Sequence, residues 1–295
     1  MRLAMTERLD SVEAGESSPS QYQPITNVGV FMTVYGGDQP AAFERALLSM
    51  LRQRVAPTTV IRVYLGVDGP ISADLEAVIA KHKDSLYRVV RAPVNAGLAR
   101  MLNRLIEARA DESYYFRMDA DDFSMPTRVQ SQMSFLVQRP HVDIVGTDII
   151  EVDPDGGRRI VAFLADPSRL KQFICFRPPV AHPTVCFRSR VFDIVPRYPM
   201  ERGNEDIALW FECAARGLQF DNVHEPLLEF TVSKDFWQRR GFDKSWGEFR
   251  TYSRGILRLW GPHWRLLFPV IRLMVRLSPK RVSQFVYRLR ARSVP

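Results

Sequence analysis

Residues 114–122 read YYFRMDADD, an apolar run that ends in Asp119, Asp121 and Asp122. Carboxylates so close repel one another unless a positive charge lies between them. Asp-x-Asp at a strand end suits a hard divalent cation, Mg²⁺ or Mn²⁺. Such ions prefer oxygen ligands and often take only one or two carboxylates, the rest being substrate phosphates and water. Asp119 and Asp121 alternate in an extended chain, so a turn must redirect one of them. Unequal roles are expected, one on the cation and the other on a nucleotide's ribose or a water. The competing explanation is an acidic helix start, with Asp122 or Ser124 capping a helix that opens at Pro126. For Asp122 the residues favour that capping role. Glu205 and Asp206, in NEDIALWFE, pose the same choice and taken alone read as acids at a helix start.

Strands are expected at 27–35, 60–68, 87–93, 113–118 and 142–148, and helical patterns at 40–53, 73–82, 97–109 and 126–138. This alternation predicts an α/β fold, a mainly parallel mixed sheet flanked by helices. Ligands bind outside the carboxyl ends of such strands. Four strands end in Thr33 and Tyr35, in Asp68, in Pro93 to Asn95, and in Asp119 and Asp121, which should line one edge. Thr33, Tyr35 and Asn95 are candidate nucleotide contacts there, although ordinary strand termini look much the same. Arg100 could reach a diphosphate from its helix, but an Arg on a helix face is usually just solvated. Beyond residue 150 the turn signal Asp155-Gly156-Gly157 predicts a hairpin, and a long helical pattern runs from Asp235 to about Trp260.

The composition, 46% hydrophobic and 25% charged over 295 residues, is that of an ordinary globular chain. Cys175, Cys186 and Cys213 show no metal-ligand or CxxC spacing and read as thiols in a reducing cytosol. Residues 1–23 are polar, lack a secretory apolar run, and read as a disordered lead-in. No window approaches a membrane span. The net charge of +8 is concentrated from Lys234 onward, so residues 24–233 are expected to form the α/β domain and 234–295 a basic, amphipathic helical extension. Within 261–293, Ser278-Pro279 looks like the start of a last helix. Arg258, Arg265, Arg272 and Arg276 fall in a stripe among apolar residues, the pattern of a segment lying in an anionic lipid interface. The alternative is a helix packed on the catalytic domain with Arg stems at its rim.

Several stretches, in order over about 27–231, resemble glycosyltransferase family 2, the inverting nucleotide-sugar transferases of GT-A fold, most closely the bacterial O-antigen, capsule and exopolysaccharide branch. They are VFMTVYGGD (30–38), VDGP (67–70), NAGLARMLN (95–103), MDADD (118–122) with Pro126 and Arg128, VAHPTVCFR (180–188) and NEDIALWFE (204–212). Val67 and Gly69-Pro70 depart from the family's D-D-G-S, while the Asp matched by Asp68 is retained. The resemblance implies a GT-A-like nucleotide-diphospho-sugar transferase fold with a helical C-terminal extension. It implies Asp121 and Asp119 as ligands of Mg²⁺ or Mn²⁺, Asp119 also toward the nucleotide, and Asp68 on the base. Asp206 becomes the catalytic base with Glu205 supporting it. His182 would shape the acceptor side together with Trp210, although Trp210 is most simply core. The expected donor is a UDP-hexose and the acceptor a lipid-linked saccharide, met at the inner face of the cytoplasmic membrane by a peripherally bound enzyme. Two other functions are weaker. A nucleotidyltransferase of similar fold expects a basic glycine-rich loop, and TVYGGDQP has no Lys or Arg. A nucleic-acid-binding protein is suggested only by the pI of about 9.6, with no nucleic-acid motif, so no nucleic acid is expected.

Overall fold

A computed structural model of the chain describes residues 25–164, 166–201, 203–232 and 242–278. Four βα units come first: β1 (Thr26–Tyr35), α1 (Pro40–Leu51), β2 (Thr59–Asp68), α2 (Ala73–Lys81), β3 (Leu86–Ala92), α3 (Leu98–Glu107), β4 (Tyr114–Met118), the short β5 (Phe123–Ser124) and α4 (Arg128–Gln138). The second half contains β6 (Ile144–Val152), β7 (Arg158–Val161), α5 (Pro167–Phe173), β8 (Cys186–Arg188), α6 (Val191–Ile194), α7 (Glu205–Ala215), β9 (Phe220–Thr231), α8 (Phe242–Trp260) and α9 (Leu267–Leu277).

The described strands form one mixed sheet in the order β3-β2-β1-β4-β8-β6-β9-β5, with β7 on β6. β3, β2, β1 and β4 are parallel, as are β6 and β9. The expected 142–148 strand, β6, does not sit beside β4. The three residues of β8 are wedged antiparallel between the two. The hairpin forms as expected, with Asp153 Oδ1 accepting from the N–H groups of Asp155 and Gly157 and Gly156 at φ +83°.

Successive residues of β1 feed opposite faces of the sheet, which explains the unbroken apolar run from Val28 to Met32. Val28, Val30, Met32 and Val34 meet α1, α2 and α4 on one face. On the other, Phe31 joins Tyr64, Tyr115 and the apolar sides of α3, α6, α7 and α8. Tyr252 and Ile256 of α8 are fully buried in that second core, and Gly255 gives α8 its close approach to the Phe211 ring of α7. The part of the 234–295 extension that is described is therefore packed into the catalytic unit rather than set apart from it.

The basic stripe is paired with acids of α7 and α8, and its α9 part turns inward. Arg258 pairs with Glu212 at 2.6 Å, and Arg272 and Arg276 grip the two oxygens of buried Glu248 at 2.6 and 2.7 Å. Arg265 lies over the Trp260 ring at 4.8 Å. Of the two readings of the stripe, Arg272 and Arg276 take the packed one, with their charges on Glu248. A carboxylate buried on α8 needs cations, and the stripe supplies them. Residues 235–241 of the long helical pattern, and the last helix proposed at Ser278-Pro279, lie outside the described residues apart from Ser278 itself.

Candidate active site

Parallel register brings the strand ends together: Tyr35 is level with Asp68, Asp68 with Ala92, and Met32 with Met118. The edge expected from sequence is present. Thr33 lies on β1 level with Gly66, and Tyr35 is exposed at the strand's end.

Asp68 is buried, and its two oxygens accept from the main-chain N–H groups of Ala96 and Gly97, both at 2.8 Å. It braces the turn that leads into α3 and fixes the loop that carries exposed Asn95. Gly69 completes the joint: at φ +84° a Cβ would come within 2.5 Å of the Asn95 nitrogen. Only glycine suits that place. Arg100 lies exposed on the first turn of α3. The second Asn of the NAGLARMLN stretch, Asn103, clamps Tyr198 by accepting from its N–H at 2.6 Å and donating to its carbonyl at 3.0 Å.

The three acids after β4 have three environments. Asp119 is ion-paired with Arg117. Asp121 is exposed, while its main-chain carbonyl accepts from Thr231 Oγ1 at 2.6 Å and from Arg45 at 3.3 Å. Asp122 is fully buried, and one oxygen accepts from the Thr231 N–H at 2.9 Å. Burial, then the charges of Asp119 and Asp121, push its pKa well above the ordinary carboxylate value. The capping role favoured for Asp122 is thus corrected. Thr127 stands at the N-cap of α4 without a side-chain cap, and Asp122 instead ties the acidic turn to the end of β9.

Sequence reasoning missed a fourth acid. Asp38, in the loop after β1, accepts from the Tyr35 N–H at 2.9 Å, and its pKa is raised to about 6 by burial and then by Asp121 and Asp119. These carboxylates repel one another, which is part of what raises the pKa values of Asp38 and Asp122. Among the described residues no three acidic, His or Cys side chains close into a metal cage of their own. An open, oxygen-only, electron-rich donor set fits Mg²⁺ or Mn²⁺ that completes its shell from phosphates.

Arg117 was also missed. It is 3% exposed and points from β4 into the interior, where Nε and Nη1 lack hydrogen-bond partners. Burial opposes its charge, but Asp119, with Tyr198 and Asp122, outweighs burial and raises its pKa. The signal was available, since a charged residue inside an otherwise apolar strand needs a partner.

On the other side of Arg117, Asp206 and Glu205 open α7. Asp206 is partly buried and accepts from the Ile207 N–H at 2.8 Å. Burial raises its pKa from 3.8 to about 6, with Glu205 adding to the rise and Arg117 opposing it. His182 Nε2 meets Tyr198 Oη at 3.0 Å, and its ring stands edge-on to Trp210 at 5.8 Å. Burial, then Arg117, drives the His182 pKa well down, so the ring is neutral. Trp210 is 0% exposed, and a direct acceptor contact is corrected: it backs His182 from the core.

The α/β sheet carries an acidic turn at its carboxyl edge and a partly buried carboxylate at the start of α7, and solved structures share this fold. Staphylococcus aureus TarS 1–349 in complex with UDP superposes with a TM-score of 0.65 at 16% identity, covering 88% of this chain and 74% of that one. The chain spans 45% of a longer TarS structure. The fold is GT-A-like. Residues 30–197 match the model of glycosyl transferase family 2, and the chain belongs to that family. Among curated relatives, the amylovoran biosynthesis glycosyltransferase AmsE of Erwinia amylovora is 29% identical over 88% of this chain and 97% of its own length. The UDP-Gal:alpha-D-GlcNAc-diphosphoundecaprenol beta-1,3-galactosyltransferase of Escherichia coli is 26% identical over 88% of this chain and 94% of its own.

Proposed function

We propose that this family 2 glycosyltransferase moves a hexose from a UDP-linked donor to a lipid-linked saccharide, with inversion, during assembly of a bacterial surface polysaccharide at the cytoplasmic face of the membrane. The observation that carries the chemistry is the Asp206 carboxylate, held at the start of α7 with a pKa near 6 and within the field of the Arg117 that binds Asp119. A base of that strength is ionised at neutral pH yet accepts a proton better than an ordinary Asp. Support for donor and acceptor comes from a relative named for galactosyl transfer from UDP-Gal to a diphosphoundecaprenol-linked sugar, and from a fold neighbour solved with UDP.

In the proposed reaction Asp206 takes the proton of the acceptor hydroxyl. The hydroxyl oxygen bonds to the anomeric carbon as that carbon's bond to the diphosphate oxygen breaks, and UDP leaves with the electron pair. Glu205 keeps Asp206 basic by repulsion, and Arg117 fixes Asp119. Asp121 and Asp119, with Asp38 beside them, would hold Mg²⁺ or Mn²⁺, which supplies charge neutralisation on the leaving diphosphate. Thr33, Tyr35, Asn95 and Arg100 are the proposed donor contacts. Asp68 would act chiefly by shaping the loop that presents Asn95, and His182 by holding Tyr198 on the acceptor side.

The test incubates the full chain with a set of UDP-hexoses and a prenyl-diphospho-sugar, with Mn²⁺, with Mg²⁺ and with a chelator. A product whose new linkage has the opposite anomeric configuration to the donor, formed only with metal, is expected by NMR. Retained configuration, or undiminished transfer in chelator, would overturn the scheme.

A further inference from the structure

Helix α9 has the polarity of an ordinary surface helix reversed. Its charged residues, Arg272 and Arg276, point inward to Glu248, while Phe268 packs on Phe176 with ring centroids 3.9 Å apart. Its solvent side is apolar: Leu267, Val270, Ile271, Met274 and Leu277 all stand exposed, Met274 by 67%. Their spacing of three and four residues makes one continuous stripe. Trp264, 60% exposed, begins the same surface in the turn before α9. An exposed run of large apolar side chains along a whole helix marks a surface built to be covered.

We infer that this outward stripe of α9 lies in the interface of an anionic lipid surface, in the plane of the membrane. Two observations select lipid over a second copy of the chain. The sequence that follows α9, residues 279–295, carries Lys280, Arg281, Arg288, Arg290 and Arg292 and no acid. A second copy of the chain carries the same net charge of +8, whereas phosphate headgroups complement it. Trp264 at one end has the apolar body and polar N–H suited to the headgroup boundary. No described helix is long and apolar enough to cross a membrane, and an in-plane helix has no need to be. The lipid acts here through α9 and not through the arginine stripe that the sequence pattern suggested. The inference rests on the lipid-linked acceptor for its purpose, since the site would be held beside a membrane-bound substrate, but not for its test.

The experiment is flotation of the full chain with vesicles of phosphatidylcholine mixed with phosphatidylglycerol, and of phosphatidylcholine alone. Wild-type protein is expected to float with the anionic vesicles and at least ~10-fold more weakly with the neutral ones. The double variant Ile271→Asp/Met274→Asp places two acids on the exposed stripe and should lose about 10-fold or more of vesicle binding. Its unfolding midpoint and its transfer to a short-chain, water-soluble acceptor should be unchanged. Flotation of the variant as strong as wild type, or no flotation of wild type, overturns the lipid surface. So does a wild-type dimer in solution that the variant dissociates, because a second copy would then be the occupant. Loss of flotation with transfer intact separates this surface from the chemistry. Failed transfer with flotation intact would count against the proposed reaction and leave the surface standing.

Discussion

Replacing Asp206 by Asn tests whether a catalytic carboxylate is maintained at the expense of the fold. Its pKa rises from the ordinary 3.8 to about 6, and burial is the main cause. A folded-state pKa above the unfolded one favours folding below the unfolded value, and that advantage is lost as pH rises through the folded value. At ~1.4 kcal/mol for each tenfold change in proton affinity, the ionised group costs about 3 kcal/mol at neutral pH. Asn carries no charge, and its amide oxygen can still accept from the Ile207 N–H. Urea unfolding at about pH 7.5 should therefore find Asp206→Asn more stable by up to ~3 kcal/mol, with the gain fading below about pH 6 and absent near pH 4. Transfer should fall by about 10²–10⁴-fold, while wild-type kcat/KM rises with pH through about 6 to a plateau. No stabilisation at neutral pH, or a gain that grows as pH falls, would refute the electrostatic argument. Retained transfer would refute the assignment of the base.

Asp121→Ala should weaken cation-dependent UDP binding by about 10–100-fold in calorimetry. The unfolding midpoint should barely move, because Arg45 and Thr231 hold the main-chain carbonyl, which alanine keeps. Asp68→Ala strands the N–H groups of Ala96 and Gly97 and should cost ~2–4 kcal/mol in denaturant titration, with Asp68→Asn losing less. Arg117→Met leaves Asp119 and buried Asp122 without their cation and should cost about 3–5 kcal/mol; adding Asp119→Asn should restore part of the loss.

The first half of the fold was legible because its information is local. The β-rich runs at 27–35 and 60–68 and the helical spacing at 40–53 survive without knowledge of any partner, and β1 (Thr26–Tyr35), β2 (Thr59–Asp68) and α1 (Pro40–Leu51) follow them closely. β8 was not legible, since three residues carry no period and only β4 and β6 make Cys186–Arg188 a strand. At the site, MDADD and NEDIALWFE marked the acids, but their division of labour depends on distant groups. Asp122 is set by Thr231, more than a hundred residues away, and Asp206 lies in the field of Arg117 on β4. The arginine stripe of the C-terminal helices shows the limit best. Periodicity reveals that one side of a helix differs from the other, but Glu248, on another helix, decides which side faces in.

Thr231 has a consequence for anyone exchanging parts between relatives. Its N–H holds the Asp122 carboxylate and its hydroxyl holds the Asp121 carbonyl, so the last residue of β9 serves as a rivet on the acidic turn. A hybrid that takes its chain from a relative from before this residue onward imports a foreign rivet and loosens the acidic turn. Grafts that end before Thr231, or that carry residues 118–124 along with it, should keep the acidic turn in place.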